Sequence, residues 1–280
     1  MEQNSTMKVV NSLVENCFGV IELLAQEGRS MRLSDIADTL QLQRSGTHRL
    51  LSTLCLLGWV EQNQTTEFYR LTLKLAATGY QFLQAAHIPE ACQPVLEKVA
   101  SESQELVRLA ALADRKLITF AHAQGAKGSL ICQTRTFPVL PLHVTASGKA
   151  WLATLPNEEA LKLVLDAGMG DAEQFGPNAL RSADALIQEL ARTRDQGYGI
   201  AIEEAEPGVS SVAAVVAPGQ GSAVGTIAIV APAVRVTEQR IPEFANLVRR
   251  AANELAVLWP LREFLQINQR LPDRVAMFQD

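Results

Sequence analysis

Near residue 105 the hydrophobic pattern of the chain changes period, and this constrains the fold more than any other feature. Up to that point apolar residues recur at helical spacing: Leu13, Val20, Leu23 and Leu24, then Ile36, Ala37 and Leu40, then Leu50, Leu51, Leu54 and Leu57. Leu83, Ala86, Val95, Leu96 and Val99 continue it, with breaks near Pro89 and Pro94. Beyond it, Leu106–Ala113, Leu117–Ala123 and Ser129–Thr136 are short apolar or alternating runs, parted by Asp114-Arg115-Lys116 and Gly125-Ala126-Lys127-Gly128. They read as consecutive antiparallel strands. Helices are expected at 146–155, 158–167 and 183–196, strands at 198–203, 209–216 and 224–230, and a closing helix at about 238–258. That order is α+β rather than regular βαβ alternation. A chain of 280 residues has room for two such units.

Composition narrows the classes. With 48% hydrophobic and 20% charged residues the chain can bury a core, which excludes disorder or a coiled-coil rod as the dominant state. The richest apolar run, Ile227–Val234, is cut by Pro232 and falls short of the ~20 residues a membrane span needs. The first residues lack the basic and apolar regions of a secretion signal, so a cytoplasmic protein without membrane contact is expected. Cys17, Cys55, Cys92 and Cys132 make no CxxC and read as buried free thiols. A net charge of −5 argues against a general polyanion binder, so the placement of charge decides.

Two windows hold no Asp or Glu: residues 39–60, with Arg44, His48 and Arg49, and residues 115–157, with Arg115, Lys116, Lys127, Arg135 and Lys149. The first suits a phosphate contact and the second a pocket or face for an anion, although buried strands are also poor in charge. Just before the first window Ser34 is expected as a helix N-cap with Asp35 in the first turn, and within it Gln41-Leu42-Gln43 as a tight turn. In the helix that follows, Arg44, Ser45, His48 and Ser52 fall opposite the leucines, with Arg49 flanking them. Gly58 ends it, and Trp59-Val60-Glu61 and Phe68-Tyr69-Arg70-Leu71 form a hairpin, or wing, about residues 62–67. Such a helix fits the major groove, where Arg pairs with guanine and Ser or Thr contacts phosphate. A three-helix unit also suits a plain interaction module. Residues 1–80 carry seven basic and eight acidic side chains, so a DNA reader built this way makes few phosphate contacts per subunit and needs dimerisation.

These residues resemble the winged helix of the IclR family of bacterial transcriptional regulators: Leu33-Ser34-Asp35-Ile36-Ala37, Leu42-Gln43-Arg44-Ser45-Gly46-Thr47-His48-Arg49-Leu50-Leu51, Gly58-Trp59-Val60 and Tyr69-Arg70-Leu71. Pro141-Leu142-His143-Val144-Thr145-Ala146-Ser147-Gly148-Lys149-Ala150, and Gly197-Tyr198-Gly199 leading to Glu203-Glu204 and Gly208, are similar to the family's effector-domain hallmarks. The resemblance covers about residues 8–260. It departs at Gly46, early in the recognition helix, and at Arg70-Leu71-Thr72-Leu73, where the family usually carries Leu-Gly after the wing tyrosine. The resulting division is a winged helix-turn-helix domain at 1–75, a linker helix at 76–91 and an effector-binding domain at 92–260. The extension at 261–280, with Leu261, Phe264, Leu265 and Ile267, suits an amphipathic cap or an oligomer contact.

The resemblance implies a GAF-like or PAS-like antiparallel sheet with flanking helices and a ligand cavity. Its pocket draws on Ala146, Ser147, Gly148, Ala201, Ser211 and Ala228, with Leu130, Cys132 and Leu140 on the apolar side. Small residues opening a helix at Thr145-Ala146-Ser147-Gly148 leave N–H groups for an anion, or else permit close helix-to-sheet packing. Lys149 reads as solvent-facing or ion-paired rather than ligand-bound. Alanine at 201 and 228 leaves Ser211 and the helix start as the main polar anchors, so the expected effector is a larger organic acid, aromatic acids included.

No catalytic motif stands out: GxSxG, HExxH, GxxxxGK[ST] and GxGxxG after a strand are all missing, and Ser147 has no assigned base. Adjacent strand residues face opposite ways, so Glu203 and Glu204 cannot both join one acid/base site with His122 or His143, and one of them belongs to a structural network. His122 and His143 as zinc ligands are the weaker reading, and no cofactor is expected. The chain is thus expected to be a one-component regulator, not an enzyme. Ser34, Arg44, Ser45, Thr47, His48 and Arg49 would meet promoter DNA, and the protein would act as a dimer or dimer of dimers. The rival is a sensor or scaffold whose winged helix binds protein.

Overall fold

The computed structural model describes residues 12–85, 88–127, 131–132, 137, 139–170, 174–219 and 221–259. The expectations for Leu130 and for the extension at 261–280 lie outside the described residues. The chain divides into two compact units, Met1–Ala85 and Ala86–Asp280.

In the first unit α1 (Ser12–Glu27), α2 (Leu33–Thr39) and α3 (Arg44–Leu56) precede β1 (Val60–Gln62), β2 (Tyr69–Leu71) and α4 (Lys74–Ala85). The helices bury most of the side chains that the periodicity selects, Val20, Leu23 and Leu24, then Ile36, then Leu51 and Leu54, closed by Val60 and Tyr69 of the hairpin, whereas Leu13 and Leu57 are exposed. Val60 pairs with Leu71 and Gln62 with Tyr69, and Met31 bridges to Tyr69 from the other side. The turn between α2 and α3 is tight: the Leu42 amide donates to the Ala37 carbonyl at 2.8 Å, and Gln41 takes a positive φ of 54°. Ser34 is not the N-cap expected of it. The helix starts at Leu33 after Arg32, and the Ser34 hydroxyl donates to the Asp35 carboxylate at 3.1 Å.

In the second unit α5 (Ile88–Ser103) leads to β3 (Leu106–Ala113) and β4 (Lys116–Gln124), followed by α6 (Ala146–Leu152), α7 (Asn157–Ala167) and α8 (Ala183–Gln196). Then come β5 (Gly199–Ile202), β6 (Val209–Val216), β7 (Gly225–Pro232) and α9 (Arg240–Leu258). The five strands form one antiparallel sheet in the order β4-β3-β7-β6-β5. Of the strand expected at 129–136, Ile131 and Cys132 are not in a strand and the rest lies outside the described residues.

Register fixes what each face of the sheet carries. Arg108 lies opposite Ala228, which lies opposite Ala213, while Ser211 lies opposite both Val230 and Ala201; all of these share one face. The other face carries buried Val107, Leu109, Val212, Ala214, Ile227 and Ile229, and α5 and α9 pack on the sheet. α6 lies against β5, β6 and β7, with α8 behind it. One glycine permits this approach, and a second lets α6 start close against the segment before it. A Cβ at Gly199 would stand 2.2 Å from the Ala146 carbonyl oxygen, and one at Gly148 would stand 2.2 Å from the Leu142 carbonyl oxygen. Neither position accepts a side chain without moving backbone.

Candidate functional site

Helix α3 contains no acid, and Arg44, Ser45, His48, Arg49 and Ser52 are all exposed while Leu50, Leu51 and Leu54 are buried. The polar stripe therefore faces outward. Arg44 reaches Asp38 at 3.8 Å, with both side chains 69% exposed, a contact of the kind water and salt largely screen. Thr47 departs from the expectation. It is fully buried, and its hydroxyl donates to the Gln43 carbonyl at 3.1 Å, so it packs inside the unit and leaves the outer face to its neighbours. The wing loop is set by Asn63, whose Oδ1 accepts the amides of Thr65 and Thr66 at 2.9 Å each. Its arginine, Arg70, is paired with Glu61 across the hairpin.

In the second unit a cavity opens between the sheet and the start of α6. Leu140, Ala146, Ser147, Ala201, Ser211 and Ala228 line it, as the sequence reading expects. Gly148 does not; the Leu142 backbone occupies the space beside its Cα, so its part is close packing. Cys132 is not among the lining residues either and lies buried in an adjoining cluster with Leu106, Ala146 and Val230. Burial pushes its thiol up, against the pull of the Arg108 charge.

Sequence reasoning missed the strongest polar groups of the cavity: Arg108 on β3, Glu206 after β5, and Thr119 on β4. Burial pushes the Arg108 guanidinium below its ordinary value, and the negative charges of Cys132 and Glu206 act the other way. Thr119 Oγ1 is buried with no hydrogen-bond partner among the described residues. The signal for Arg108 lay in the sequence: it is the one charge inside the otherwise apolar run Leu106–Ala113. The helix start is a weaker anion anchor than expected. α6 has seven residues, and Thr145 Oγ1 already accepts the Gly148 amide at 3.1 Å.

Lys149 is ion-paired, as the sequence suggests, but inside the protein. Only 1% exposed, it reaches Glu204 at 2.7 Å and Glu189 at 3.0 Å. Burial pushes the Glu204 carboxyl up despite Lys149, and its Oε2 has no partner among the described residues. Glu203 instead accepts the Gly208 amide at 2.8 Å, so the two adjacent glutamates do separate structural work. A second buried acid, Glu105, takes Arg235 through both oxygens at 2.6 Å. His143 sits edge-on to Phe175 with Nε2 3.1 Å from the Met169 carbonyl, and burial lowers its pKa. No group of three potential metal ligands occurs among the described residues.

Residues 13–64 match the family model of the IclR helix-turn-helix domain, and residues 80–257 match that of the bacterial transcriptional regulator IclR C-terminal domain. The HTH-type transcriptional regulator XynR of Escherichia coli is 28% identical over 250 residues, covering 89% of this chain and 97% of its own. The transcriptional repressor IclR of Escherichia coli is 29% identical, covering 86% and 87%. Among solved structures, a putative IclR transcriptional regulator from Silicibacter superposes with a TM-score of 0.76 at 24% identity, covering 88% of this chain and 95% of that one. An IclR homologue from Microbacterium hydrocarbonoxydans, complexed with 4-hydroxybenzoate, gives 0.66 at 22% identity, covering 90% and 99%. With both halves matched in order, the chain belongs to the IclR family of bacterial transcriptional regulators, pairing a DNA-binding helix-turn-helix with a ligand-binding C-terminal domain.

Proposed function

We propose that residues 1–75 bind promoter DNA, that 76–91 link them to an effector-binding domain at 92–260, and that a small organic acid in the cavity controls the DNA-bound state. The observation that carries the DNA contact is the outward, carboxylate-free face of α3. Arg44, Ser45, His48 and Arg49 enter the major groove, with Ser34 at the start of α2 and the wing loop against the backbone. The protein works as a dimer or dimer of dimers. Leu13 and Phe18 on α1, each 61% exposed, supply apolar surface of the kind that self-association covers.

The effector reading rests on this chain's own cavity. Its walls are apolar at Leu140, Ala146, Ala201 and Ala228, and Arg108 supplies a partly desolvated cation. A cation among apolar walls favours an organic acid, and the apolar lining suits an aromatic one. The Microbacterium homologue is complexed with an aromatic acid, 4-hydroxybenzoate. Acid binding shifts the placement of paired DNA-binding units only if its affinity differs between the two arrangements.

Fluorescence anisotropy with promoter-proximal and random duplexes tests the DNA contact. Tighter binding to one promoter sequence, weakening as salt rises, is the expected result; equal, salt-independent binding to both overturns it. Thermal-shift screening of carboxylates against amines tests the ligand class. Stabilisation by amines alone contradicts an acid effector.

A further inference from the structure

In the second unit Arg115, Arg192, Arg235, Arg240 and Arg250 are each ion-paired with a glutamate. Arg194 and Arg249 have no carboxylate partner among the described residues. These two line one groove, where the ends of α6 and α8 meet α9. The effector cavity touches Thr145, Ala146 and Ser147 at the start of α6, the groove touches Ala150, Ala153 and Thr154 toward its end, and the two share no lining residue. No acid lines the groove. Nor does an Asp or Glu stand three or four residues from either arginine, where a helical ion-pair partner would be.

Arg194 is held in place by neutral groups. Its Nε donates to the Ala153 carbonyl at 2.8 Å, and its Nη2 to the Leu155 carbonyl at 3.0 Å and to Asn157 Oδ1 at 2.7 Å. The guanidinium is thereby fixed while its charge is offset only in part, by the negative end of α6. Its Nη1 has no partner among the described residues, and the exposed Arg249 side chain has neither hydrogen bond nor ion pair among them. Thr193, on the same wall, is 2% exposed, and its Oγ1 is buried without a partner among the described residues. A buried hydroxyl left unpaired is destabilising, and an acceptor brought to it removes that cost.

We propose that this groove is a second ligand site, for a small tetrahedral oxyanion: the phosphate ion or the phosphate group of a metabolite. Arg249 and Arg194 supply the charge and Thr193 a hydroxyl donor. An anion with several oxygens can accept guanidinium bonds from α8 and α9 together, and charge-assisted bonds of this kind are the strong ones. Bound there, it ties the end of α8 to α9. The site does not depend on the organic-acid reading of the cavity.

Isothermal titration calorimetry on the full chain, at constant ionic strength set with chloride, tests this with inorganic phosphate, sulfate and glycerol 3-phosphate. The expected result is saturable binding of phosphate or its ester with a Kd of about 1 mM or less. Tighter binding of the ester identifies a phosphorylated metabolite as the ligand, and the reverse order identifies the free ion. Arg194 also closes the end of α6, so Arg249→Gln is the variant that separates binding from folding; it should weaken binding at least tenfold with an unchanged melting temperature. Thr193→Val should weaken binding severalfold without lowering the melting temperature of the ligand-free protein. Absence of saturable binding by all three probes, or binding that Arg249→Gln leaves undiminished, overturns the inference. So does a smaller oligomer for Arg249→Gln on size-exclusion chromatography together with no phosphate binding by the parent chain, which makes the groove a contact between copies.

Discussion

The two units use charge in opposite ways. In the helix-turn-helix unit the cations of α3 stand in solvent, and the ion pair of Arg44 spans 3.8 Å between two mostly exposed side chains. In the effector unit Lys149 and Glu105 are 1% exposed and bonded to partners at 3.0 Å or less. The same residue types therefore do different work. An exposed cation keeps its hydration until a polyanion replaces it, which leaves it free to bind. A buried one depends on its internal partners and serves the fold or a cavity.

Breaking the buried side should have the largest effect. Lys149→Met leaves buried Glu204 without its cation and Glu189 with only the exposed Arg192 at 3.8 Å, and removing one partner of a buried pair costs about 3–5 kcal/mol. Denaturant unfolding followed by circular dichroism reads this; a loss below about 1 kcal/mol, the range of an exposed pair, would break the comparison. Because α6 also starts the cavity wall, ligand affinity should fall with it.

His143 sharpens the same contrast through pH. Burial depresses its pKa, and the Met169 carbonyl opposes that only in part. The folded state thus binds its proton more weakly than the unfolded chain does, so the group's contribution is full above the ordinary histidine value and is lost as pH falls through the depressed one. Thermal melts from pH 7.5 downward should show this loss, and His143→Gln should flatten it; identical slopes would place the acid sensitivity elsewhere.

Smaller effects belong to the exposed helix. Gly46 has nothing within 4 Å of the position of a Cβ, so Gly46→Ala should stabilise α3 by about 1 kcal/mol, seen as a raised melting temperature. Asp38→Asn removes the weak partner of Arg44, which should cost at most about 1 kcal/mol of stability while tightening DNA binding slightly at low salt. A large stability loss would show that the surface pair has a role its geometry does not provide.

Much of the architecture was legible because burial leaves a period in the sequence. Leu50, Leu51 and Leu54 of α3 and the apolar strands β3, β6 and β7 stand where their spacing puts them, while Leu57 falls past the helix end and is exposed. Thr47 was readable too: it lies three, four and seven residues before Leu50, Leu51 and Leu54, on the buried face, and its hydroxyl is satisfied locally. Its polarity concealed that. The cavity residues Ala146, Ser147, Ala201, Ser211 and Ala228 came from resemblance rather than from period, because β5, β6 and α6 meet only through tertiary packing. Arg108 and Glu206 lie 98 positions apart, and no local pattern joins a strand arginine to a turn glutamate. For Ser34, residue type suggested a cap that the backbone formed two residues earlier, at Arg32.

The most direct test of the outward cationic face is the affinity of Arg49→Ala for a promoter duplex, measured by fluorescence anisotropy beside a thermal melt. Binding should weaken by roughly 10-fold or more, about 1–3 kcal/mol, with an unchanged melting temperature. Unchanged affinity in a folded variant would contradict a DNA-reading role for this face of α3.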